Sequence, residues 1–280
     1  MMQTTSSPSP SALALLTSSV AESNRGVELM TRGQYSPALQ ALTASLSHIK
    51  KSLQEAATIS SAAETVISPQ SSSSQLSTTS VEILHLPLNV GLEQQRDVSQ
   101  GIHASATVVQ VIPKDSSSPL GVVTNEMCNS ISSIVIYNLA LLHHLIGISS
   151  SIATAQRGGA LTKAMRLYEH SYRLHMNDQC SVPDTLRAMS ILNNLAHVNS
   201  LLNETDKADL CWQKLLSLLL YCREYGLLEE GAQEENEEAN KQEGEADAQG
   251  AARQQQATWQ LFTTNVSHLI LQGEITAAAA

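Results

Sequence analysis

Aromatic side chains make up only 3% of this 280-residue chain, with a single phenylalanine, Phe262. Its core must therefore be filled by Leu, Ile, Val, Ala and Met, and a hydrophobic content of 42% is enough to fill one. Leu and Ala are good helix formers, so the shortage points to an all-α chain. Basic residues are also scarce: 16 Lys and Arg stand against 26 Asp and Glu, a formal net charge of −10. Without a basic stripe to meet phosphates, neither nucleic acid nor an anionic membrane surface is expected as a partner. The four cysteines (Cys128, Cys180, Cys211, Cys222) form no CxxC pair and no disulfide framework. They read as reduced, partly buried thiols in a reducing compartment.

Long apolar runs are missing as well, and no segment is expected to reach the ~20 residues of a membrane span. The first residues lack the basic stretch and apolar length of a secretory signal. They are rich in Ser and Thr, as transit peptides are, but carry no Arg or Lys before Arg25. Cytoplasmic placement is the expectation, with nuclear placement and organelle targeting left open. Catalytic wording is absent too. There is no GxSxG, and Gln156 to Lys163 lacks the GxxxxGK[ST] spacing of a phosphate loop.

What the chain does have is one pattern, returning at unequal distances. It reads Asn24-x-Gly26-x-x-Leu29, then Gly33-x-Tyr35-x-x-Ala38-x-x-x-Leu42-x-x-Ser45-Leu46. It returns as Tyr137-Asn138-Leu139-Ala140 with Gly147, then Ala164-x-x-x-Tyr168-x-x-Ser171-Tyr172. The third copy is Asn194-Leu195-Ala196 with Asn203, then Ala208-x-x-x-Trp212-x-x-Leu215-Leu216. Small residues stand where two helices touch, and large apolar ones fill the space between them. That pattern specifies antiparallel helical-hairpin repeats, degenerate in period, and a scaffold rather than a catalyst.

The spacing divides the chain as follows. Residues 1–18 are a disordered Ser/Pro tail, and 19–60 the first helical hairpin, with Gly33 closing its first helix and Ser36 capping its second. Residues 61–124 are a Ser-rich linker and an extended insertion, where Val81 to Leu88 and Ala104 to Ile112 are β-branched enough for a small β-hairpin or an irregular flap. Residues 125–225 hold hairpins two and three, with a loop from Ser149 to Gly159 and a cap at Asp184 or Thr185. Residues 226–251 form an acidic disordered spacer, since Glu229 to Asp247 carries nine acids and one lysine. Residues 252–280 supply a final helix and tail. Its stripe of Trp259, Phe262, Val266, Leu269 and Ile270 is expected to close the stack against the Asp206 to Tyr225 helix.

At these residues the chain resembles the tetratricopeptide repeat family, whose unit is a helical hairpin. Gly26 with Ala38, Ala140 with Ala164, and Ala196 with Ala208 take that family's small-residue places, and Tyr35 its aromatic after the turn. The wording Tyr137 to Leu145, with Leu167-Tyr168-Glu169, is also similar to tetratricopeptide-like proteins of diatoms. The resemblance implies a concave groove lined by the first helix of each repeat, gripping a protein or peptide. It places Asn24, Asn138, His144, Asn193, Asn194 and His197 along that groove, with Asn265 and His268 as outlying candidates. An Asn amide both donates and accepts, so it can hold a peptide main chain without demanding charge. One branch of the family clamps an acidic peptide end with Lys and Arg. The matching places here hold Ser23, Val27, Ser190 and Asn194, and Asn138 alone agrees, so that clamp is not implied.

A binding groove open to solvent would tolerate change, so alanine at Asn138, His144 and His197 is expected to leave stability nearly unchanged. No catalysis, cofactor or metal is expected. His143, His144, His170 and His175 show no one-turn pair. The alternatives are an α-helical enzyme or metal protein built on those second-repeat histidines, and a structural subunit of a larger complex.

Overall fold

The structure, a computed structural model, describes residues 11–63, 81–87, 107–113, 125–149, 153–177, 182–224, 259–260 and 262–267. It is mostly helical. In chain order come α1 (Ala12–Thr31), α2 (Tyr35–Ala63), β1 (Val81–Pro87), β2 (Thr107–Pro113), α3 (Asn125–Ile148), α4 (Thr154–Asn177), α5 (Val182–Leu201) and α6 (Thr205–Glu224). Residues 259–260 and 262–267 are also helical. The expected spacer at 226–251 and most of the Ser-rich linker lie outside the described residues, as do His268, Leu269 and Ile270.

The helices pack in sequence as hairpins α1/α2, α3/α4 and α5/α6, and each hairpin leans on the next through α2/α3 and α4/α5. The odd-numbered helices form an inner row, α1 beside α3 and α3 beside α5, and β2 lies against α1 and α3. The two strands pair antiparallel, from Val81 opposite Pro113 to Pro87 opposite Thr107.

The hairpins share local chemistry. The first and third turn in the same way. Gly33 (φ 71°) and Asn203 (φ 60°) are left-handed. Gln34 N–H donates to Leu29 O and Glu204 N–H to Asn199 O, each at 2.9 Å, the six-to-one bond of a Schellman closure. Glycine has no Cβ to oppose that conformation, and Asn tolerates it better than most residues. The first and second hairpins share a buried serine pair across their helices. Ser45 Oγ donates to Ser19 O and Ser171 Oγ to Ser133 O, each at 2.8 Å. In the third hairpin the matching places hold Met189 and Leu215, both buried, so the same crossing is filled by apolar contact.

α3 is the centre of the stack. Its Ile131, Val135, Leu139, Leu142 and Leu145 join a cluster with Val27, Leu42 and Ile49 of the first hairpin. Its Ile134, Tyr137 and Ala140 join a second cluster with Tyr168, Leu192 and Trp212. A helix packed on all sides must be apolar on all sides. This corrects the expectation about apolar runs: Met127–Ile148, 22 residues, is long and apolar enough to cross a membrane, and most of it is buried inside the fold.

Four further boundaries differ from the sequence reading. α1 begins at Ala12, not near residue 19: Ser11 caps it by accepting from Ala14 N–H, and Ala12, Leu15 and Leu16 are buried. Ser52 Oγ reaches back from α2 to Ala12 O at 2.7 Å, which fixes that first turn. α2 starts at Tyr35 and runs through Ala63, so Ser36 lies inside its first turn rather than capping it. The loop expected at 149–159 is mainly helix, since α4 starts at Thr154 and contains Gly158 and Gly159. α5 starts at Val182, ahead of the expected cap at Asp184 or Thr185.

Gly26 and Gly147 are explained by contact. A Cβ at Gly26 would meet Leu42 Cγ at 2.7 Å, and one at Gly147 would meet Leu161 Cδ2 at 2.6 Å. Gly147 is thus a crossing residue inside α3 rather than a turn. Gly158 and Gly159 have nothing within 4 Å of a built Cβ. Opposite results are therefore expected from one substitution. Gly158→Ala and Gly159→Ala should each stabilise by up to ~1 kcal/mol through helix propensity. Gly26→Ala should destabilise, because overpacking costs ~1–3 kcal/mol and outweighs that gain. Urea denaturation midpoints of the three variants check the sign.

Candidate functional site

An amide side chain carries a carbonyl acceptor and two N–H donors, so it can face a residue's main chain as a neighbouring strand would. In an antiparallel pair, alternate residues turn their N–H and C=O away from the partner strand. In β2 these are Val109 and Val111, and each meets an asparagine. Asn138 Nδ2 donates to Val109 O at 2.7 Å, and Val109 N–H donates to Asn138 Oδ1 at 3.0 Å. Asn24 Nδ2 donates to Val111 O at 2.9 Å, and Val111 N–H donates to Asn24 Oδ1 at 3.2 Å. The asparagines thus take the part of a third strand. Residues two apart in a strand point their side chains to one face. Val109 and Val111 are 0% and 1% exposed, with Val109 among the side chains of the second cluster.

α3 and α1 bring Asn138 and Asn24 to this strand because each asparagine lies two residues before the small residue of its crossing, Ala140 or Gly26. Asn194 precedes Ala196 in the same way on α5, but its amide is used elsewhere. Asn194 Nδ2 donates to the Tyr137 hydroxyl at 3.4 Å, and Asn194 Oδ1 accepts from Asn193 Nδ2 at 3.3 Å. Asn193 Oδ1 accepts from Asn265 Nδ2 at 2.7 Å, which ties the C-terminal helical residues to α5. Phe262 and Val266 enter the same core cluster as Cys211, Trp212 and Leu215 of α6.

His144 and His197 form the third part of this interior. His144 Nε2 and His197 Nδ1 are 3.1 Å apart, and His144 Nδ1 lies 3.4 Å from the Tyr168 hydroxyl. With Nδ1 accepting from Tyr168, Nε2 carries the proton and donates to His197. Burial holds His144 well below the ordinary histidine range, and His197 adds to the effect. Burial likewise pushes the Tyr168 hydroxyl up, with Tyr137 adding to it.

All six residues read from the sequence therefore lie on the inner row of helices, and each is engaged from within the chain. Asn138 and His144 are 0% exposed and His197 6%, while Asn24 is half-buried. This corrects the expectation that alanine at Asn138, His144 and His197 would be nearly neutral. Ala164 and Ala208 are buried, as crossing residues must be. The four second-repeat histidines do not gather. His144 faces His197, His175 Nδ1 accepts from Arg187 Nε and Nη2, His143 is half-buried and His170 exposed. Among the described residues no three His, Cys, Asp or Glu side chains are grouped to hold a metal. Sequence reasoning missed Val109, Val111, Tyr137 and Tyr168 as site residues. The β-branched run Thr107-Val-Val-Gln-Val-Ile112 was the available signal for Val109 and Val111, since it marks a strand.

Asn138→Ala removes both partners of Val109, and each buried group so orphaned costs ~1–3 kcal/mol. Asn24→Ala is expected to cost less, because water can reach its half-buried site. Urea denaturation should rank the two losses in that order. The neutral His144 gives a pH dependence of known sign. The unfolded chain takes up a proton below the ordinary value of 6.5 and the folded chain resists it. Stability should therefore fall as pH drops through and below that value. His144→Gln should flatten the slope between about pH 7.5 and about pH 5.5.

The chain matches no family model, no curated protein and no solved structure.

Proposed function

We propose that the chain is a protein- or peptide-binding scaffold: a degenerate helical-hairpin repeat of tetratricopeptide type whose inner helices hold an extended segment by its main chain. The pair of asparagine clamps on β2 carries this reading. Asn24 and Asn138 bond to the N–H and C=O of alternate residues and to nothing specific to valine. Such contacts are available to any extended segment. The matching turns at Gly33 and Asn203, and the matching serine pairs, support a repeated hairpin unit. No step in this reading needs a nucleophile, a metal or a cofactor. The compartment consistent with it is the cytoplasm.

The test is selection of ligands. The immobilised full chain is panned against a displayed library of short random peptides. Enrichment of sequences apolar at alternate positions is expected, with retention falling at least about tenfold on an Asn24→Ala/Asn138→Ala chain. The reading fails if neither the full chain nor one with residues 107–113 replaced by a Gly/Ser linker enriches anything over an unrelated helical protein.

A further inference from the structure

The clamp reads little of β2 beyond its extended shape. Four of its contacts are hydrogen bonds between Asn24 or Asn138 and main-chain groups, two donated by the amides and two accepted, and every non-proline residue carries such groups. On the side facing the helices the rest of the described contact is two valine side chains, set two residues apart and closed off from water, while the other edge of β2 pairs with β1. A different extended segment, with β-branched apolar residues at positions i and i+2, forms the same four bonds and fills the same two places. Exchange of one for the other is close to neutral at these contacts. What favours β2 is its tether, since a covalently linked segment sees the site at an effective concentration on the order of mM, together with its antiparallel pairing to β1, which an incoming strand would take over.

From this, and resting on the scaffold reading above, we propose that β2 is a resident stand-in for a ligand supplied in trans. The ligand is an extended peptide with valine-like residues at alternate positions. It takes the place of Thr107–Pro113 between Asn24 and Asn138, so the occupied inner face is the closed state of the binding site. β2 sets both the chemistry of the ligand and the threshold for its binding, because apparent affinity falls with the fraction of chains whose site is open.

The probe is a labelled synthetic peptide of residues 105–115, followed by fluorescence anisotropy. A Val109→Asp/Val111→Asp chain carries two charges that cannot enter the dry site, so its own strand is excluded. This chain is expected to bind the peptide at least about tenfold more tightly than the unaltered chain does. Adding Asn24→Ala and Asn138→Ala should abolish that binding. A Val109→Asp/Val111→Asp chain that is helical by circular dichroism, yet binds no better than the unaltered chain, overturns the proposal. Hydrogen exchange on the unaltered chain is a second test, independent of how the variants fold. The Val109 and Val111 amides should exchange at least about tenfold faster than the slowest amides of α3, through local release of the strand. Exchange in step with α3 would make β2 part of the global fold and end the proposal. Library ligands that bind the Asn24→Ala/Asn138→Ala chain undiminished would overturn it together with the clamp that carries the scaffold reading, whereas failure in either of the first two tests leaves the scaffold reading standing.

Discussion

The interior of this protein depends on a strand whose exposed edge is completed by side chains. A strand buried against helices carries N–H and C=O groups that water cannot reach, and leaving them bare is costly. Asn138 and Asn24 supply the missing partners at Val109 and Val111. The arrangement holds only if α1 and α3 set their asparagines apart by the ~6.6–6.8 Å that separates alternate strand residues. The small residues at the crossings allow it. Gly26 lets Leu42 close onto α1, and Ala140 and Ala164 are both fully buried in the second hairpin. Helix packing, strand placement and site geometry are thus one constraint.

The third hairpin resolves the same problem differently. Among the described residues Asn194 meets no strand, and it is drawn into a polar core with Tyr137, Asn193 and Asn265. Beside it the neutral His144 bridges His197 and the Tyr168 hydroxyl. Such networks stabilise only when their members find partners, and they then fix a single arrangement of helices. That explains how α5 can be buried from Leu186 to Asn199 while carrying Asn193, Asn194 and His197, with Arg187 bonded separately to His175. It also gives the C-terminal helical residues a specific seat, through one amide bond to α5 and two apolar side chains in the core.

A scaffold with its inner face filled from within differs from one with an open groove in what it asks of a partner. An open groove rewards any fitting segment. A filled one rewards only a segment that outcompetes the resident strand, which raises specificity and lowers affinity. In the proposed reading the resident segment is β2, which lies between the first and second hairpins in sequence, so the site and its occupant would be encoded together.

The sequence alone determined the helical class, the hairpin units and the closing turn at Gly33. These follow from local rules: helix propensity, the spacing of small and large residues, and the freedom of a residue without a Cβ. It misplaced the start of α1 and of α4. Gly158-Gly159 is a poor helix former, and Ala12 to Leu16, though built of good ones, is too short a run to hold alone; both are helical where Ala12, Leu15 and Leu16, or Ala160, Leu161 and Ala164, have a core to enter. The resemblance to hairpin repeats also singled out the asparagines, of which Asn24, Asn138 and Asn194 stand two residues before a small crossing residue. Only the tertiary structure decided what they hold. Asn24 and its strand residue are 87 positions apart, and Asn138 and its own are 29 apart. The partner in each case is main chain, which is the same at every residue. A bond to a group common to the whole chain leaves no mark in the sequence, so its address is settled by packing.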